Sequence, residues 1–383
     1  MTWKIDEIKI TNFKFFHNEF KLHVERKNLL VYGENGSGKS SIYWSLYTLF
    51  QSALKNNVAE VHKYFDATNP QNLRNRFATA GDSSSVEVIY KDENGATCSD
   101  IVSDTNVSTL VTGRTFQFNT THSSDFLNYK FLNAVFDFKN SEENDVFKIF
   151  ESEVFNFLNF TKGCLKPDDS RTTTTSAKEW WNEIRRWPRY LPKSAGNRFV
   201  RGEQLYHDFG VVRQEFDEEL AQCLRDIQQR TNTKLRDEFK LPVRIKLGNT
   251  PVEFDKLIPG TVKSRDQRLY RPKILLTVEL AYENLHAADI GIEHPRSYFN
   301  EGKLTCVALA LRLAIFEKRM HTIAGCAEIL CIDDLLVSLD MSHRLPVIQI
   351  LLKYAVDQQM MVFTHDRAFY ELFKNDSATK SSI

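Results

Sequence analysis

The sequence predicts an α/β fold whose two ends meet around a phosphate-binding loop, with a helical insert between them. Three observations carry that prediction. Residues 31–41 read VYGENGSGKSS, in which Gly33, four free positions, Gly38, Lys39 and Ser40 reproduce the P-loop spacing. Short apolar runs of strand type surround this loop and return near the C-terminal end. Between them, residues 142–239 change to apolar residues at helical spacing.

In chain order, Ile5, Ile8 and Ile10, then Phe20, Leu22 and Val24, give a β-ribbon before the loop. NLLVYG is a strand, and SSIYWSLYTLF carries Ile42, Leu46, Leu49 and Phe50 at helical spacing, so the loop joins a strand to a helix N-terminus. Residues 84–104 form a hairpin about Asn94-Gly95, and further strands are expected across 108–119. One helix is expected from Glu142 to Phe160 and a longer one from Phe209 to Phe239, packing as an antiparallel hairpin with residues 161–205 at its far end. Strands return at VRIKL and KILLTVELAY, followed by helix, strand, helix and strand through residue 365. The expected division is 1–140 and 241–383 for the two halves of one domain and 141–240 for the helical insert.

Lysine plus arginine equals aspartate plus glutamate at 50 each, so any nucleic-acid surface must be a local patch. The six cysteines form no C-x-x-C pair, which argues against a zinc hook or ribbon and fits unpaired thiols in a reducing compartment, the cytoplasm. The N-terminus lacks a signal-peptide apolar core, and no run of about 18 apolar residues exists to span a membrane.

The loop's chemistry follows from its residue types. Gly33, Asn35, Gly36, Ser37 and Gly38 let backbone N–H groups curl round phosphate oxygens, Lys39 supplies a fixed cation, and Ser40, followed by Ser41, offers a hydroxyl to Mg2+. Far downstream, ILCIDD is an apolar strand ending in Asp333 and Asp334. In a P-loop protein such a strand lies beside the P-loop strand, with its first carboxylate near the metal and its second near the attacking water. Elsewhere the same pair would cap a helix. A further strand, MMVFTHD, ends in His365, whose imidazole is either a γ-phosphate contact or a surface side chain.

GENGSGKS, ILCIDD, SLD and FTHD, with ITNFKFF near the N-terminus, resemble the ATPase heads of the ABC-type SMC and RecF superfamily over residues 1–135 and 270–370. The resemblance implies an ABC-type head with a mixed β-sheet core and an antiparallel β lobe, using ATP and Mg2+. It implies that Asp333 is the Walker B carboxylate, that Ser338, Leu339 and Asp340 are the D-loop, and that His365 is the switch histidine. FNEGKLT, with Asn300 as N-cap and Gly302 permitting close approach, stands where the signature helix would contact nucleotide held by a second subunit. Three departures matter. The signature is diverged, Asp334 replaces the usual catalytic glutamate, and the insert is too short for SMC arms. Only Gln117 is near a Q-loop position, where an ordinary strand glutamine is an equal reading.

Residues 171–201 carry Arg171, Lys178, Arg185, Arg186, Arg189, Lys193, Arg198 and Arg201 among Trp180, Trp181, Trp187 and Tyr190, either a partner-binding tip or a solvated loop. The resulting expectation is a slowly hydrolysing ATPase, switching as a homodimer or higher homo-oligomer through its heads. Stand-alone heads with motifs like FNEGKLT resemble the ATPase subunits of anti-phage systems such as PARIS and Septu. That implies antiviral defence with a separate nuclease effector, because too little chain follows His365 for a nuclease domain. A RecF-like ATPase loading on DNA, or a scaffold that binds ATP with little turnover, are the alternatives.

Overall fold

The computed structural model describes residues 2–79, 81–110, 115–137, 143–194, 198–255, 268–282, 291–292, 295–320, 322–335, 339 and 341–379. The chain divides into two compact units, Met1–Leu132 with Phe316–Ile383, and Asn133–Ile315.

The first unit holds two sheets. Lys4–Phe13 pairs with Phe16–His23 on one side and Ser85–Lys91 on the other, and Thr97–Ser103 completes this antiparallel lobe. The 85–103 hairpin turns as expected. Asp92 Oδ1 accepts the N–H groups of Asn94 and Ala96, and Gly95 takes φ +86°. The second sheet is parallel, in the order Leu29–Tyr32, Gln359–Thr364, Ile329–Asp333, Asp125–Asn128. Lys39–Ser52 packs against both. Its Ile42, Tyr43, Leu46, Leu49 and Phe50 join Ile8, Val88, Cys331 and Met361 in one core.

Two expectations fail in this unit. The strand bearing Asp333 does not lie beside the P-loop strand, since Gln359–Thr364 is inserted between them. The described residues of 108–119 hold no strand, and residues 111–114 lie outside them. Ser108–Leu110 is a 3₁₀ turn and Phe116–Ser123 an α-helix, whose Thr121 Oγ1 bonds the Phe50 carbonyl (3.0 Å) and ties it to the helix Lys39–Ser52, a tertiary contact that local composition does not carry.

The second unit is built on one helix of 34 residues, Gln204–Asp237. The sheet Val243–Asn249, Ile274–Leu280, Gly291–Ile292 also belongs to this unit, so the boundary expected at residue 240 falls inside it. Its edge strand is covered by the long helix. Asn232 bonds both the N–H and the carbonyl of Ile245, and Gln228 accepts from the N–H of Leu247. The helix expected at 142–160 is instead a short run of α, π and 3₁₀ turns over residues 147–157, wound so that Phe147, Phe150, Val154 and Phe155 are all buried.

The tryptophans of residues 171–201 do not form an exposed tip, although Tyr190 is 51% exposed. Trp180, Trp181 and Trp187 are 0%, 3% and 1% exposed, and their indole N–H groups donate to Lys162 O, Glu151 Oε1 and Leu165 O. The helix Ala177–Arg186 lays these rings along the long helix, with Trp181 5.8 Å from Phe216 and Trp187 stacked 5.5 Å from Phe209. Much of the basic charge is paired. Arg171 meets Glu215, Arg185 meets Glu151, Arg186 meets Glu183, and Arg201 meets Asp255.

Candidate functional site

The site lies at the carboxyl edge of the parallel sheet, where three strands deliver their ends. Leu29–Tyr32 delivers the P-loop, whose Gly33 N–H donates to Thr364 O (3.3 Å) and so ties the loop to the neighbouring strand. Gly36 and Gly38 take φ +84° and +92°, a region costly for a residue with a Cβ. A Cβ on Gly38 would also stand 2.6 Å from the Phe15 ring. Lys39 is buried, and its ammonium donates to Gly33 O (2.6 Å), Glu34 O (2.9 Å) and Ser37 Oγ (3.3 Å), so the cation is held within the curl of the loop. The helix behind it has neither a side-chain cap nor an acidic residue in its first turn, which leaves its N-terminal dipole suited to an anion. Asn35, Gly36 and Ser37 are exposed. Ser41 is placed differently from its neighbours: its hydroxyl accepts the Phe15 N–H (3.3 Å) and its own N–H donates to Gly38 O, so it braces the loop against the N-terminal hairpin.

Ser40 Oγ donates to Asp333 Oδ1 (3.2 Å), although 293 residues separate them. Burial first, and then the charge of Asp334, push the Asp333 carboxyl up to about 6. Such a carboxylate gains from a cation. Ser40 Oγ and Asp333 Oδ1 are hard oxygen donors of the kind Mg2+ takes.

Asp334 adopts φ +44°, and its N–H donates to Phe363 O (3.0 Å). Its Oδ1 accepts the His365 N–H (3.0 Å) and lies 2.8 Å from His365 Nδ1. The inserted strand thus brings His365 to Asp334.

Other expected residues fall elsewhere. Asn300 caps the helix Glu301–Glu317, its Oδ1 accepting the Lys303 N–H (3.0 Å), and Gly302 is buried in the first turn. Ser338 and Asp340 lie outside the described residues. Gln117 is no loop glutamine. It is fully buried and accepts the Tyr90 hydroxyl (2.8 Å).

Sequence reasoning missed two features. Phe15 is 55% exposed yet packs on Gly38, putting an open aromatic face at the rim of the loop. Lys14 and Lys130 lie 5.6 and 5.2 Å from the ring centroid of Trp44, on the P-loop helix. Burial, with the charge of Lys130 second, lowers the Lys14 pKa. The signal for Phe15 was the aromatic cluster in ITNFKFF; nothing in the sequence pairs Lys14 with Lys130.

The family described as RecF/RecN/SMC N terminal domain matches residues 4–381. Among solved structures, the SmcHead bound to the C-winged helix domain of ScpA is similar at 10% identity, over 96% of this chain and 92% of that one, with a TM-score of 0.45. The Smc head domain with an extended coiled coil, bound to the C-terminal domain of ScpA derived from Pyrococcus furiosus, matches at 11% identity over 98% and 92%, with a TM-score of 0.43. No curated protein matches.

Proposed function

This chain belongs to the RecF/RecN/SMC N terminal domain family, as an ATP-binding ATPase head, and we propose that it works as a Mg2+-dependent, slowly hydrolysing dimeric switch. The observation that carries this is the 3.2 Å bond from Ser40 Oγ to Asp333 Oδ1, which joins the P-loop to the end of a remote strand. When bound there, Mg2+ would neutralise phosphate charge. Lys39 and the loop's N–H groups hold the β and γ phosphates, and Phe15 offers its exposed face to the base. Asp334 takes a proton from the attacking water and His365 orients its carboxylate. Aspartate in place of glutamate sets the carboxylate about one methylene back, and a misplacement of about 1 Å can cost on the order of a hundredfold in rate. Asn300, Gly302 and Asp340 complete the site from a second copy of the chain.

Lys39→Ala is expected to abolish ATP binding in calorimetry. Asp334→Asn is expected to keep it, stop turnover and trap a nucleotide-bound dimer visible by light scattering. Asparagine tolerates the positive φ of Asp334, so the change tests chemistry rather than folding. Normal turnover in Asp334→Asn would assign the water to another residue.

The finer reading, an anti-phage subunit of the cytoplasm controlling a separate nuclease, is supported by the FNEGKLT resemblance and the short insert. Loss of plaque protection in the Lys39→Ala strain tests it. The RecF-like reading has one observation in its favour: Lys14 and Lys130 share Trp44 and have no acidic partner among the described residues, as a phosphate backbone would require. DNA binding that weakens by orders of magnitude between low and moderate salt would favour that reading.

A further inference from the structure

Arg344 stands fourth in the helix Met341–Asp357, near the end where the helix dipole disfavours a cation. It is nevertheless mostly buried, its side chain 15% exposed. Its guanidinium reaches two targets. Nε donates to the Leu339 carbonyl (3.2 Å), and Nη1 donates to Asp366 Oδ2 (2.6 Å). Asp366 does not need that partner to start its own helix, because its other oxygen already accepts the Phe369 N–H (3.0 Å) and its N–H donates to Thr364 Oγ1 (3.1 Å). The residue between Thr364 and Asp366 is His365, which holds Asp334 through two bonds to one oxygen. Arg344 is therefore a rigid fork between the segment leaving Asp334 and the turn carrying His365.

We propose that Arg344 is a positioning residue for hydrolysis, locking Leu339 to Asp366 and so fixing His365 against Asp334. This rests on the ATPase reading above. A planar guanidinium spanning two segments fixes their separation, whereas either bond alone would leave the turn free to shift. A shift of about 1 Å at the carboxylate suffices to lower the rate by on the order of a hundredfold. Among the described residues Arg344 makes no hydrogen bond or ion pair to the P-loop, so phosphate binding has no reason to change.

The test compares wild type, Arg344→Ala, Arg344→Lys, Asp366→Asn and the double variant Arg344→Ala with Asp366→Asn as full chains, reading AMP-PNP affinity by calorimetry, kcat and KM for ATP, and Tm. Asp366→Asn keeps the helix cap but loses the charge. The expected result is kcat lower by about 10–100-fold in Arg344→Ala and Asp366→Asn, with AMP-PNP affinity, KM and Tm near wild type. The double variant should be no slower than either single one, and Arg344→Lys should recover part of the rate. Unchanged kcat, or losses in the two single variants that multiply in the double, would overturn the proposal. A fall in kcat matched by falls in affinity and Tm would also overturn it, by making the pair merely structural. A wild type that binds AMP-PNP but shows no turnover would instead remove the ATPase reading itself, and the proposal with it.

Discussion

Asp217 shows how a single buried carboxylate sets a pH dependence. On the long helix, both its oxygens accept the Val252 N–H (3.1 and 3.0 Å). Burial pushes the carboxyl up to about 6, more than that bond and Arg213 pull it down. A folded-state pKa above the unfolded one means that the group favours folding at low pH. Its contribution is complete below about pH 4 and is lost as pH rises through about 6. Asp217→Asn keeps an acceptor for Val252 without the buried charge. The variant is expected to match wild type near pH 4 and to exceed it above pH 6 in urea melts, and parallel pH curves would rule this out. The juxtaposed Lys39, Ser40 and Asp333 were legible from sequence because the P-loop spacing is local and Asp333 ends an apolar strand. Phe15 was not, because only the folding of the hairpin over Gly38 gives it a role.

Among the elements, the helix Ala177–Arg186 departs furthest from its sequence reading. Tryptophans interleaved with arginines suit a partner surface, yet here the rings seal the insert onto its long helix and the arginines ring the seam. Trp181→Ala removes a ring in contact with Phe147 and Phe216 and a bond to Glu151. It is expected to destabilise the second unit by about 3–5 kcal/mol, measured by denaturant unfolding; a loss below about 1 kcal/mol would mean that the ring is not core. The edge strand Val243–Asn249 depends on a different device. Asn232→Leu leaves the N–H and carbonyl of Ile245 without their partner, at a cost of about 1–3 kcal/mol. The variant should also exchange the Ile245 amide hydrogen faster, and unchanged exchange would show that water replaces Asn232 at no cost.

For the whole molecule, the first unit is discontinuous. Two of the four strands in its parallel sheet, Ile329–Asp333 and Gln359–Thr364, come from the far end of the chain. Residues 1–132 alone are therefore expected to stay unfolded by near-UV circular dichroism and to gain structure only when 316–383 is supplied. A cooperative transition from 1–132 alone would show that the antiparallel lobe suffices. The sequence by itself determined the α/β class, the P-loop and the carboxylate pair, because glycine backbone freedom, a cation beside a hydroxyl, and apolar runs at strand period are local properties. Only the tertiary structure decided which strands are neighbours, that the tryptophans are core, that Arg344 meets Asp366 and that His365 meets Asp334. Those facts depend on pairing between residues far apart in the chain, and hydrophobic burial, which selects that pairing, has no direction along the sequence.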